Sequence, residues 1–98
     1  MEITKKATAE KMEFAVSGRL DTMTAPQLEN EISSSIEGIK ELVLDFANLE
    51  YVSSAGLRVI LAAQKAMNKQ GSMKIINVCD DINEVFEITG FSDILTIE

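Results

Sequence analysis

Leu42-Val43-Leu44-Asp45-Phe46 and, after four intervening residues, Tyr51-Val52-Ser53-Ser54-Ala55-Gly56-Leu57-Arg58 are the two runs that decide the fold. The first is nearly continuous in apolar side chains, which suits a central parallel strand covered on both faces. The second passes into a helical pattern, with apolar residues at Leu57, Ile60, Leu61, Ala63 and Met67 and a stop at Gly71, so a helix is expected over about 54–70. Two adjacent hydroxyls, Ser53 and Ser54, therefore stand in a short loop where a strand gives way to a helix. Free backbone N–H groups and the positive end of the helix dipole meet at such a place, and a phosphate suits it. Either serine can also serve simply as the helix cap, its oxygen taking up an orphan N–H.

Downstream, Met73 to Cys79 reads as a strand, placed near a sheet edge by the polar Lys74 and Asn77. Asp81-Ile82-Asn83-Glu84 has the form of a capping box, opening a helix with Ile82, Val85, Phe86 and Thr89 on one face and Gly90 behind it. Phe91 to Ile97 is left for a half-turn and a short edge strand. Upstream, Thr24-Ala25-Pro26-Gln27 predicts a helix start, with Thr24 as cap and Pro26 in the first turn. Leu28, Ile32 and Ile36 then recur on one face until Gly38. Residues 12–18 alternate, Met12, Phe14 and Val16 against Glu13, Ala15 and Ser17, as one strand of a hairpin does. Residues 2–8 supply the other strand, Ala9-Glu10-Lys11 the turn, and Arg19 to Thr22 a loop after Gly18.

The order β-β-α-β-α-β-α-(β) defines an α/β protein: a single domain over 1–98. Its sheet is mixed but mainly parallel, with an N-terminal antiparallel hairpin and three to four helices. Ninety-eight residues, 46% of them apolar, suffice for one modest core. No apolar run reaches the length of a membrane span and no signal-peptide pattern opens the chain, so a cytoplasmic protein is expected. A net charge of −7 argues against nucleic acid and anionic membrane as partners.

The chain contains no histidine, which removes Ser-His triads and most zinc sites. Cys79 stands alone and is expected to be a small buried hydrophobe. Neither GxGxxG nor GxxxxGK[ST] occurs, which weighs against a small nucleotide-binding α/β protein. The glycine two residues before Ser54 that a nucleophile elbow requires is Val52. The acidic pairs Asp80-Asp81 and Glu29/Glu31 are read as helix capping and a solvated face. No catalysis, metal or cofactor is expected of this chain.

Tyr51 to Arg58, preceded by Leu44-Asp45-Phe46 and by Gly18-Arg19-Leu20-Asp21, resembles the STAS domain of bacterial anti-sigma factor antagonists over essentially the whole chain. Family members commonly read Asp-Ser-Ser/Thr/Ala-Gly-Leu, the serine after the aspartate being phosphorylated. That acceptor falls on Ser54, with Gly56-Leu57 matching and Ser53 standing where many members carry aspartate. The resemblance implies a partner switch. A serine kinase that is also the anti-sigma factor phosphorylates the antagonist, and a PP2C-type phosphatase reverses this. The unphosphorylated form binds the kinase and frees a sigma factor. The alternative is a STAS module that docks, without phosphorylation, onto a transporter or another signalling complex.

The partner surface is expected at one end of the sheet, where loops follow the carboxyl ends of parallel strands. It joins the Asp21–Thr24 loop, through Asp21, Thr22 and Thr24, to the Ser53–Arg58 stretch, through Ser53, Ser54, Ala55, Gly56 and Arg58, along with the exposed side of the helix that follows. Arg58, one helical turn beyond Ser54, can reach a phosphate there. Gly56 lies in the first helical turn, where glycine costs stability, so close approach by a packed strand or by the partner's backbone is expected. On that reading Gly56→Ala could stabilise the domain.

Overall fold

The computed structural model describes residues 1–98. Strands β1 (Glu2–Ala7) and β2 (Lys11–Leu20) form the expected antiparallel hairpin, followed by α1 (Ala25–Ser35), β3 (Glu41–Val52), α2 (Ser54–Asn68), β4 (Ser72–Ile76) and α3 (Asp80–Thr89). A 3-10 turn over Phe91–Asp93 and a parallel bridge between Ile97 and Ile75 close the chain. The sheet order is β1-β2-β3-β4, with β3 parallel to both of its neighbours. The polar residues of β4 correctly placed it at the edge.

Because the strand order runs in one direction, right-handed crossovers put every helix on the same face. Leu28 and Ile32 of α1, Ile60 and Met67 of α2, and Ile82 and Phe86 of α3 share one core with Phe14, Leu42, Leu44, Phe46 and Ile75. The expectation that β3 is covered on both sides is corrected here. Val43 faces away from that core yet is only 2% exposed, in register between Glu13 of β2 and Lys74 of β4. Long neighbouring side chains on a sheet can shield a central apolar residue without a helix above it.

β3 is also longer than its sequence suggested, running to Val52 where the apolar run ended at Phe46. Its buried residues there are Phe46, Leu49 and Val52, spaced by three because two irregularities interrupt the pairing with β2. β4 stops earlier than expected, at Ile76, where Asn77 takes a positive φ of 59° and its amide donates to Asp45 Oδ1 at 3.1 Å. No helix is long and apolar enough to cross a membrane.

Candidate functional site

The two irregularities in β3 fix where the site sits. From Ala15 to Leu20, β2 advances five residues while its partner advances seven, from Asp45 to Val52. The extra length brings Leu20 and Val52 opposite one another at the ends of two parallel strands. The Ser53 N–H then donates to the Leu20 carbonyl at 2.8 Å. The loop carrying Asp21 and the start of α2 therefore begin side by side, as the sheet geometry led us to expect.

Asp21 builds the first of these loops. Its Oδ1 accepts from the N–H groups of Met23 and Thr24 at 3.0 and 3.2 Å, and its carbonyl accepts from Ala25 N–H at 2.8 Å. The Thr24 hydroxyl answers by accepting from Asp21 N–H at 2.9 Å and donating to the Arg19 carbonyl at 2.8 Å. This reciprocal pair is a capping box, set three residues earlier than expected. Thr24, expected to cap α1 with Gln27, makes no side-chain cap bond of its own. Desolvation pushes the Asp21 carboxyl up, but the Thr24 and Met23 N–H groups, the Thr24 hydroxyl and the Arg19 guanidinium together outweigh it and hold it below the ordinary 3.8. Arg19 Nε lies 3.8 Å from Asp21 Oδ2, and the guanidinium stacks 4.2 Å from the centroid of the Tyr51 ring, its partner in the sheet register.

At the start of α2 the two serines divide their roles. Ser53 is the N-cap: its backbone is extended (φ −95°, ψ 176°) and its Oγ accepts from Gly56 N–H at 3.3 Å. Ser54 is the first helical residue, exposed, with no hydrogen bond on its hydroxyl. The N–H groups of Ser54 and Ala55 find no acceptor in the chain. Gly56 is buried because it must be: a Cβ there would stand 2.7 Å from Leu20 Cγ and 2.9 Å from Val52 Cγ2. The close approach is thus to the chain's own strand ends, and the expectation that alanine could stabilise this position is overturned.

Arg58 is exposed and makes no ion pair. With Ala55 and Val59 it forms one wall of a cavity of about 190 Å³, whose other wall is Thr22, Pro26 and Glu29. Every residue expected at the partner surface is therefore gathered at one end of the sheet, with Gly56 and Thr24 in framework roles. Met23, Arg19 and Tyr51 lie in stretches already singled out in the sequence but were given no role of their own there. Met23 is 87% exposed and Tyr51 41%. The signal was present in the sequence: a methionine inside a turn that otherwise spells Asp-Thr-Thr.

Elsewhere, Cys79 is exposed rather than buried, its thiol donating at 3.9 Å to the Leu49 carbonyl. It is the N-cap of α3, so that helix starts ahead of the expected capping box. Asp80 and Asp81 lie in the first turn, where they favour the helix dipole.

A one-sided α/β sheet whose adjacent parallel strands end in a capped turn and a serine-led helix is the architecture of a STAS domain. A STAS family profile matches residues 2–98. BtrV of Bordetella bronchiseptica, named as an anti-sigma factor antagonist, is 38% identical over 82 residues, 82% of this chain and 71% of that protein. The anti-sigma-B factor antagonist of Staphylococcus aureus is 32% identical over 87 residues, covering 87% of this chain and 81% of its own. The chain belongs to the STAS domain family and, within it, to the anti-sigma factor antagonists. In fold it is similar to the anti-sigma factor antagonist SpoIIAA. The unphosphorylated form of that protein superposes with a TM-score of 0.85 at 19% identity over 99% of this chain and 88% of that one. The TM-score with the phosphorylated form is 0.78.

Proposed function

We propose that this chain is a phosphorylation-switched antagonist whose Ser54 is the acceptor. In its unphosphorylated form it binds an anti-sigma factor that is also a serine kinase, releasing a sigma factor in the cytoplasm. Phosphate on Ser54 ends that binding, and a PP2C-type phosphatase restores it. The chain is the substrate of this chemistry, not its catalyst. One observation carries the reading: Ser53 holds the cap, so the Ser54 hydroxyl is exposed and has no duty in the fold.

The surroundings suit both states. The unpaired N–H groups of Ser54 and Ala55 and the unpaired Arg58 one turn on are ready for a doubly charged group. A docking surface shaped for a hydroxyl, by contrast, would have to strip water from that phosphate without pairing it. The test is intact-mass measurement on the chain taken from its native cell. A phosphorylated fraction that disappears in Ser54→Ala and persists in Ser53→Ala supports the assignment. Complete absence of phosphate under all growth conditions would leave a docking module without a switch.

A further inference from the structure

The Ser54 switch leaves one residue of the neighbouring Asp21–Thr24 loop without a purpose. Met23 is 87% exposed, while Met12, Met67 and Met73 are buried and Met1 is half-buried. Its turn is closed by Asp21 and Thr24, which make the side-chain hydrogen bonds there; Met23 contributes only its backbone N–H. Turns of this kind favour small polar residues at such a position. An apolar side chain is thus held in water by a backbone that does not need it.

We propose that Met23 is the apolar anchor of the docking surface, seated in an apolar pocket of the anti-sigma factor, and that it sets affinity while Ser54 sets the switch. The proposal rests on the Ser54 reading above. Three observations support it. The pinned turn presents the side chain from a backbone with little ordering left to lose, so that binding fixes only the methionine's own rotamers. A methionine, unbranched and polarisable, adapts to an irregular apolar pocket. Its chain neighbour Thr22 faces Ala55 and Arg58 across a single cavity. A stable interface covers about 800 Å² on each partner, close to a seventh of this chain's 5539 Å². A footprint of that size around Ser54 reaches Met23. A second copy of the chain is the competing occupant, disfavoured because each copy carries a net charge of −7.

Hydrogen peroxide provides the test, since it transfers one oxygen atom to an accessible thioether sulfur, giving the sulfoxide and water. The purified chain and the unphosphorylated chain in native-cell extract are exposed to peroxide for equal times, and peptide masses locate the added oxygen. Met23 should oxidise first in the purified chain and at least tenfold more slowly in the extract. Equal rates, or protection already present in a dimer of the purified chain, would overturn the proposal. Met23→Gln should melt like the wild type yet weaken partner binding tenfold or more. Binding within twofold of wild type would also overturn it. Phosphate on Ser54 with Met23 unprotected removes the anchor alone. Protection of Met23 without phosphate anywhere removes the switch alone, and loss of both removes the two together.

Discussion

The Ser53 N–H donates to the Leu20 carbonyl at 2.8 Å, tying the first residue after β3 to the last residue of β2. Two loops far apart in the chain are thereby held at one height. Ser53 also caps α2, so a single residue both joins the loops and starts the helix that carries Ser54.

That division of labour predicts unequal costs for the two serines. Ser53→Ala should lose about 1 kcal/mol of stability with its cap bond. Ser54→Ala should stay within about 0.5 kcal/mol of wild type, as exposed substitutions away from structural features do. Urea titration of the two variants measures both. Equal losses would return Ser54 to a structural role.

Phosphorylation of Ser54 should leave the melting temperature nearly unchanged or slightly raised, because a dianion at a helix N-terminus is favoured by about 0.3–1 kcal/mol at an exposed site. Binding to the kinase should nevertheless weaken for the phosphoprotein and for Ser54→Asp, and persist for Ser54→Ala. Parallel melting and affinity measurements separate the two effects. A phosphoprotein that bound as tightly as the unmodified chain would rule out a docking switch.

Arg58 should be felt by the phosphate directly. The second ionisation of phosphoserine lies near pH 6, and a neighbouring guanidinium favours the dianion and lowers it. Phosphorus NMR should show that midpoint rising in Arg58→Ala relative to the phosphorylated wild type. An unchanged midpoint would mean that Arg58 points elsewhere and serves the partner.

Gly56→Ala should destabilise by about 1–3 kcal/mol, the usual cost of overpacking, because the new methyl meets Leu20 and Val52 at under 3 Å. The effect should couple to Leu20: combined with Leu20→Ala, it should cost less than the sum of the two single changes. Additive losses would place the strain elsewhere.

Asp21 sets an acid limit on the loop. Its folded-state carboxyl is held below the ordinary 3.8, so its charge-dependent contribution is complete above that value. The contribution is lost as pH falls through the lower, folded-state value. Asp21→Asn should therefore melt below wild type at neutral pH, with the gap narrowing in acid below the ordinary value. A gap independent of pH would mean that the cap works through shape alone.

Much of this was legible in the sequence. Alternation at Met12, Phe14 and Val16, helical spacing at Leu28 and Ile32, and the polar Lys74 and Asn77 gave the element order, the hairpin and the edge position of β4. What escaped has common causes. Phe46, Leu49 and Val52 are buried at a spacing of three, a period that belongs to neither strand nor helix and arises only from the interrupted pairing with β2. Val43 is buried without a helix above it, so an apolar run did not imply two covering layers. Cap bonds were less legible: Thr24 sits at the start of α1 but pairs with Asp21 and not with Gln27, Cys79 came ahead of the expected box, and of the two serines left open Ser53 took the bond. Before α1 and α2 side-chain hydrogen bonds decide such contests, and several residues in each stretch were chemically competent.

The two additional residues of β3 act as a length gauge. Each residue adds about 3.3 Å to a strand, so deleting one between Asp45 and Val52 would pull Ser53 back by that distance and turn alternate side chains over. Tyr51 would swing away from Arg19, and the Ser53 N–H would lose Leu20. The acceptor serine could keep its sequence motif intact and still be presented at the wrong height. Shortening this strand by one residue would thus disable a site in which no residue had been changed.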